Sequence, residues 1–267
     1  MLRRRGRRLP GMQPRFRSTS RFDAVLCDVD GCLVDEAGGP LPLEKLGRIA
    51  AHNRLALDAE DRPIVTLCTG RPEPFAECLA RVIGNPLLPI VCENGAWLHD
   101  PTDNAYLLDP AVTAEDLAAV AALEGWVRRE LGSAGVSIQP GKTASVSLYH
   151  PDAELLEAFK PRLRDAADGH GWPFRVSGTW SYINCDLRKV SKATGIARLL
   201  ALTGIEAARC AGIGDTAHDL QIAESVAWFG VPHNRDPILD DAADRIAAAP
   251  GVDGVIELLA HLGPPVP

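Results

Sequence analysis

Ala24-Val25-Leu26-Cys27-Asp28-Val29-Asp30-Gly31 is a short apolar run that stops abruptly at two acids and a glycine. Its apolar part, Ala24 to Cys27, reads as a buried strand, and the acids read as the turn at its carboxyl end. Two later runs repeat this grammar. Ile64 to Leu67 leads into Thr69-Gly70-Arg71, and Leu88 to Cys92 leads into Glu93-Asn94-Gly95. Between the first two runs, Leu43, Leu46, Ile49, Ala50 and Leu57 mark a helical stripe after Pro42. Strands alternating with helices predict an α/β fold around a mostly parallel sheet, and such sheets bind ligands at the carboxyl ends of their strands.

After residue 95 the pattern changes. Ala96 to Leu98 and Tyr106 to Leu108 predict a hairpin, followed by helices over Ala114 to Leu131 and Ala153 to Gly169. Strands are expected at Ser145 to Tyr149, Phe174 to Ser177 and Ser181 to Asp186. This is the signature of a separate α+β module, expected over residues 96–186. The first pattern then resumes, with a helix over Ala193 to Leu202, a strand from Cys210 to Ile213, a short helix over Leu220 to Glu224, a strand from Val226 to Phe229 and a closing helix from Val252 to Leu262. The sheet domain is therefore expected to be split, 21–95 plus 187–267. Residues 1–20, rich in arginine and without an acid, read as a disordered basic arm.

The chain of 267 residues carries a formal charge of -7, which argues against a nucleic-acid surface, and its apolar runs fall short of the roughly 18 residues that span a bilayer. Seven cysteines without a C-x-x-C pair, mostly inside apolar runs, read as buried hydrophobes in a reducing cytoplasm.

The chemistry gathers at the strand ends. Asp28 and Asp30 follow one strand, and Thr69-Gly70 follows another with a hydroxyl and backbone N–H groups suited to a phosphate oxygen. Lys192 precedes a helix that Ser191 can cap, and Gly214-Asp215 ends a strand with Asp219 four residues on. Each alone has an ordinary reading as a turn, a surface lysine or a first-turn acid. Together they bring carboxylates to one sheet edge. Two carboxylates about 4 Å apart repel by roughly 4 kcal/mol at an effective dielectric near 20, so the cluster calls for a cation. Hard oxygen ligands point to Mg²⁺.

The ordered set Asp28-Val29-Asp30-Gly31, Thr69-Gly70-Arg71, Lys192 and Gly214-Asp215 through Asp219 resembles the four motifs of the haloacid dehalogenase superfamily of phosphatases. The insert, with Glu93-Asn94-Gly95 just before it, resembles the Cof-type sugar-phosphatase branch, subfamily IIB. The resemblance implies a Rossmann-like core with an inserted α+β cap. It implies that Asp28 is the nucleophile and Asp30 the general acid and base. It further implies Mg²⁺ on Asp28, on Asp30 through its backbone carbonyl, and on Asp215, with phosphate held by Thr69, Gly70 and Lys192. Asp219 would orient the metal's water shell or Lys192. One departure stands beside it, since His218 occupies a position where many members of the branch carry Asn.

Arg71 and Asn94, with Lys142, His150 and Trp180, are candidates for reading the substrate beyond its phosphate. The expected activity is hydrolysis of a small phosphorylated metabolite, with a sugar phosphate as the expected substrate. A phosphomutase of the same branch and a catalytically silent phospho-ligand-binding protein are the alternatives.

Overall fold

In the computed structural model, which describes residues 13–36, 38–179 and 181–264, β1 (Ala24–Cys27) lies at the heart of the molecule with all four residues buried. It pairs in parallel with β2 (Ile64–Leu67) on one side and β10 (Cys210–Ile213) on the other, and β11 (Trp228–Val231) and β12 (Arg245–Ile246) extend the sheet to the order β12-β11-β10-β1-β2.

Burial on both faces explains why these strands read as continuous apolar runs. Val25 and Cys27 point into a cluster with Leu46 and Ile49 of α1 (Leu43–Ala59), Leu79 of α2 (Glu73–Val82) and Leu258 of α7 (Gly251–Leu262). Leu26 points the other way, against Ile196 and Leu199 of α5 (Lys192–Thr203) and Ile222 of α6 (Leu220–Ala223).

β3 (Ile90–Cys92), expected as a further parallel strand, touches this sheet by one parallel bridge, Cys68 to Val91. Its main partner is β4 (Trp97–Asp100), which pairs with β5 (Ala105–Leu108) in a three-stranded antiparallel sheet. The strand expected at Val226 to Phe229 runs from Trp228 to Val231 instead.

The module between the two halves of the parallel sheet is a four-stranded antiparallel sheet, ordered β6 (Ser137–Ile138), β7 (Ser145–Tyr149), β9 (Tyr182–Leu187), β8 (Phe174–Gly178). Alternation along its strands sorts the two faces. Val146, Leu148, Ile183 and Cys185 pack with Leu123 and Val127 of α3 (Ala114–Glu130) and Phe159 and Leu163 of α4 (Ala153–His170). The other face carries Ser145, Ser147, Tyr182, Asn184 and Asp186, with Ser145 opposite Asp186, Ser147 opposite Asn184 and Tyr149 opposite Tyr182.

The arm expected to be disordered through residue 20 is packed where it is described. The Arg15 N–H donates to the Thr203 carbonyl at 2.8 Å, the Arg15 guanidinium meets Asp100 at 2.7 Å, and Phe16 is buried. Residues 1–12 of the arm, and Trp180, lie outside the described residues. Among those described, no helix is long and apolar enough to cross a membrane.

A buried histidine sets an acid limit on this core. His52 of α1 has Nε2 2.8 Å from the Pro63 carbonyl, and burial pushes its pKa down from 6.5 to about 4. The imidazole is therefore neutral in the fold and must be charged on unfolding in acid. Its contribution is complete above pH 6.5 and is lost as the pH falls from 6.5 through 4, a difference of roughly 3 kcal/mol. His52→Gln is expected to flatten the pH dependence of urea unfolding across that window. An unchanged slope would remove His52 from the account.

Candidate active site

The register of the parallel sheet builds the site. Cys27 pairs with both Leu67 and Ile213, so Asp28, Thr69 and Asp215 leave the sheet at one edge. The Asp28 N–H donates to the Ile213 carbonyl at 2.9 Å, and the chain then turns sharply. Gly31 makes that turn possible. Its φ is +76°, and a Cβ there would stand 2.0 Å from Asp215 Oδ2.

Lys192 reaches the same edge from the first residue of α5, where Ser191 caps the helix by accepting from the Thr194 N–H. Lys192 is 4% exposed, and its ammonium donates to Asp28 Oδ1 at 2.8 Å and to Asp219 Oδ1 at 2.6 Å. Burial works against this charge, but Asp219 and Asp28 outweigh it and raise the lysine pKa well above its ordinary value. Burial likewise pushes the Asp28 carboxyl up to about 7, opposed by Lys192 and reinforced by Asp219 and Asp30.

The oxygens of Asp28, Asp215 and Asp219 lie within 4.8 Å of one another, and all three residues are buried. Asp219 is fully engaged, since Oδ2 accepts from the N–H groups of Asp215 and Thr216 and from the Thr216 hydroxyl while Oδ1 holds Lys192. Asp215 is different. Oδ1 meets the Cys32 thiol at 3.6 Å, and Oδ2 is buried without a donor among the described residues. Burial, then Asp28 and Asp219, push its carboxyl up to about 9. An orphaned carboxylate oxygen facing a second buried carboxylate is a donor set that a hard divalent cation fits.

Thr69 is buried, and its hydroxyl accepts from the Arg71 N–H at 3.0 Å, which leaves the O–H to donate. Gly70 approaches the Asn94 amide so closely that a Cβ would lie 3.0 Å from Oδ1. The Arg71 guanidinium grips Asp30, with Nε 2.9 and 2.8 Å from its two oxygens and Nη2 closer still. It lies over the Phe75 and Tyr182 rings.

A pocket covers these groups, with Asp28, Asp30, Glu36, Gly70, Arg71, Asn94, Lys192 and His218 on the strand-end side. Gln139, Lys142, Thr179, Tyr182 and Asn184 of the inserted module face them. His218 is half-buried, and burial followed by the Lys192 charge lowers its pKa. The imidazole is neutral at pH 7.

No family model matches the chain. It is 26% identical over 238 residues to a phosphoglycolate phosphatase of Halorubrum lacusprofundi, covering 88% of this chain and 95% of that one. A phosphoglycolate phosphatase of Archaeoglobus fulgidus is 28% identical over 247 residues, covering 90% and 96%. Among solved structures, a haloacid dehalogenase-like hydrolase from Bacteroides thetaiotaomicron matches with a TM-score of 0.67 at 16% identity, over 90% of this chain and 99% of that one. Sucrose-phosphatase from Synechocystis matches with a TM-score of 0.63 at 15% identity, over 91% and 98%. Over nearly its whole length the chain is thus similar to two phosphatases, and its fold is that of the haloacid dehalogenase-like hydrolases.

The four stretches that resemble haloacid dehalogenase motifs come together at one sheet edge. Within them the side chains sort into two groups. The acids that cluster are Asp28, Asp215 and Asp219, whereas the Asp30 side chain is turned to Arg71. Arg71, expected to read substrate, is first of all the partner of Asp30. His150 is half-buried, accepts from the Asp152 N–H and does not line the pocket. Sequence reasoning missed Glu36, Gln139, Thr179, Tyr182 and Asn184. For Tyr182 and Asn184 a signal existed, because the alternation Tyr182-Ile183-Asn184-Cys185-Asp186 places polar groups on one face of a strand.

Proposed function

We propose that the protein is a Mg²⁺-dependent phosphomonoester hydrolase that forms an aspartyl-phosphate on Asp28. The observation that carries this reading is the buried Asp28 carboxylate, held by Lys192 at 2.8 Å on the pocket floor beside the orphaned oxygen of Asp215. Asp28 and Asp215 would hold the ion, with Asp219 fixing Lys192. When bound, Mg²⁺ supplies positive charge to the phosphoryl oxygens and relieves carboxylate repulsion.

The protein's own groups do the rest. Thr69 donates its O–H and Gly70 its N–H toward the phosphate, while Lys192 contributes charge from the opposite side. Asp28 attacks phosphorus, and Asp30 gives a proton to the leaving alcohol, then takes one from the water that cleaves the acyl phosphate. For this, Asp30 must loosen from Arg71. The inserted module acts as a cap that excludes water and reads the leaving group.

The substrate is a small phosphorylated metabolite. Gln139, Asn184 and Tyr182 suit the hydroxyls of a sugar phosphate. A second reading, phosphoglycolate, is favoured by the Lys142 ammonium at the cap side of the pocket and by the name that both curated relatives carry.

Purified protein is expected to release phosphate from para-nitrophenyl phosphate with Mg²⁺ and to lose that activity in excess chelator, recovering it when Mg²⁺ is restored. Activity that persists in chelator would sink the metal assignment.

A further inference from the structure

Glu93 belongs to the turn after β3, yet its side chain is spent on the cap. It is 1% exposed and accepts from the Thr143 N–H (3.0 and 3.2 Å to its two oxygens), the Thr143 hydroxyl (3.4 Å), the Ala144 N–H (2.9 Å) and the Ser145 hydroxyl (3.1 Å). A buried carboxylate so provided with donors is a fixed anchor rather than a solvated acid. Its backbone is unusual as well, since Glu93 and Asn94 both have positive φ, 44° and 50°.

Asn94 ties the same turn to the phosphate end of the pocket. Its N–H donates to the Thr69 carbonyl at 3.0 Å, and its amide donates to Asp186 on β9 at 3.0 Å. Gly95 completes the junction, because at φ +98° a Cβ would stand 1.9 Å from the Ser191 carbonyl beside Lys192. One turn therefore fixes the phosphate-binding turn, the two chain crossings into the cap, and the loop before β7.

That loop carries Lys142, the residue next to the one Glu93 holds. Lys142 Nζ donates to the Ser147 hydroxyl, which in turn donates to Asn184 Oδ1. Among the described residues Ser147 is its one hydrogen-bond partner, so two of its three N–H donors remain for a ligand. With Ser147 holding the Asn184 oxygen, the amide NH₂ is left beside the ammonium. Lysine and amide both line the pocket that also holds Asp28 and Lys192, so they can serve as a two-point donor set for a group attached to the phosphate.

We propose that Lys142 recognises an acidic group on the leaving alcohol of the substrate, and that Glu93 is the positioning residue that holds Lys142 over the phosphate site. This rests on the reading of the pocket as a phosphomonoesterase site, and it adds a substrate class and a second residue to that reading. The ligand that fits is a small carboxylate-bearing phosphate ester. A neutral ester of the same size would offer those two free N–H donors no anionic acceptor.

The test compares 2-phosphoglycolate with 2-hydroxyethyl phosphate, which has the same length and no carboxylate, and uses para-nitrophenyl phosphate as the general reporter. Wild-type protein should prefer 2-phosphoglycolate, and Lys142→Gln should cut that preference by at least about tenfold, mostly through KM. Lys142→Arg should restore part of it. Glu93→Gln, which turns an N–H₂ group toward the loop N–H donors, should shift the same ratio in the same direction.

In the double variant the two losses should not add, because Glu93 acts through Lys142. If Glu93→Gln does not fold, Ser145→Ala, which removes one donor to Glu93, should lower the same ratio by a smaller factor. A wild-type protein indifferent to the carboxylate, or additive losses in the double variant, would overturn the proposal. A wild-type protein that hydrolyses none of the three esters would instead overturn the phosphatase mechanism itself.

Discussion

Asp28→Asn is expected to slow phosphate release by at least about 10⁴-fold while leaving the fold intact, because an amide cannot act as the nucleophile that splits hydrolysis into two steps. The environment of Asp28 makes the stability half of this prediction unusual. Burial raises its carboxyl to about 7, with Asp219 and Asp30 adding repulsion that Lys192 opposes without cancelling. The raised value means that the charged form is favoured less in the fold than in the unfolded chain, so its cost applies as the pH rises above the ordinary carboxylate range. Asn removes that charge and keeps an oxygen for the Lys192 ammonium at Oδ1. Without Mg²⁺ the variant should therefore melt at or above the wild-type temperature at pH 7.5. With Mg²⁺ it should gain less than wild type, since one ligand has lost its charge. Phosphate release and thermal unfolding with and without Mg²⁺ check the two halves separately. A variant that kept a near-normal rate would remove Asp28 from the covalent role.

Most of the fold was legible because the parallel strands are buried on both faces and so read as apolar runs: Ala24 to Cys27 and Cys210 to Ile213 hold in place to the residue. β3 meets the parallel sheet by a single bridge and pairs mainly with β4, which was not legible because an apolar run says that a strand is buried and does not say which neighbour it pairs with. β12 has two exposed residues and no apolar signature at all. Arg15 and Phe16 escaped notice because a lone aromatic in an arginine-rich stretch gives no periodicity.

In the site, the motif residues were readable from their place at strand ends. Pairings across long loops were not. Arg71 with Asp30 and Glu93 with Thr143 join residues 41 and 50 positions apart, and nothing in either local sequence names its partner.

Lys192→Met should be the most destabilising of the site substitutions, by about 3 to 5 kcal/mol near neutral pH, because it keeps the packed stem and removes the cation between two buried carboxylates. The wild-type ammonium lies 2.8 Å from Asp28 and 2.6 Å from Asp219, and those acids hold its pKa up against burial. Their dependence on it is the mirror image. In the variant, Asp28 and Asp215 lose the ammonium charge that lowers them, so these two carboxyl groups are favoured in the protonated form and their folded pKa values rise further.

Protons are then bound more tightly in the folded than in the unfolded state, and stability must fall as the pH rises through the carboxylate range and beyond. Urea unfolding at pH 5 and pH 7.5 reads this directly. The deficit against wild type should be clearly larger at pH 7.5, and Mg²⁺ should recover part of it by supplying the missing positive charge. Equal deficits at both pH values would mean that Lys192 contributes packing alone. Activity should fall by about 10³-fold or more even where the variant is folded, since the same ammonium is placed to stabilise the phosphoryl oxygens.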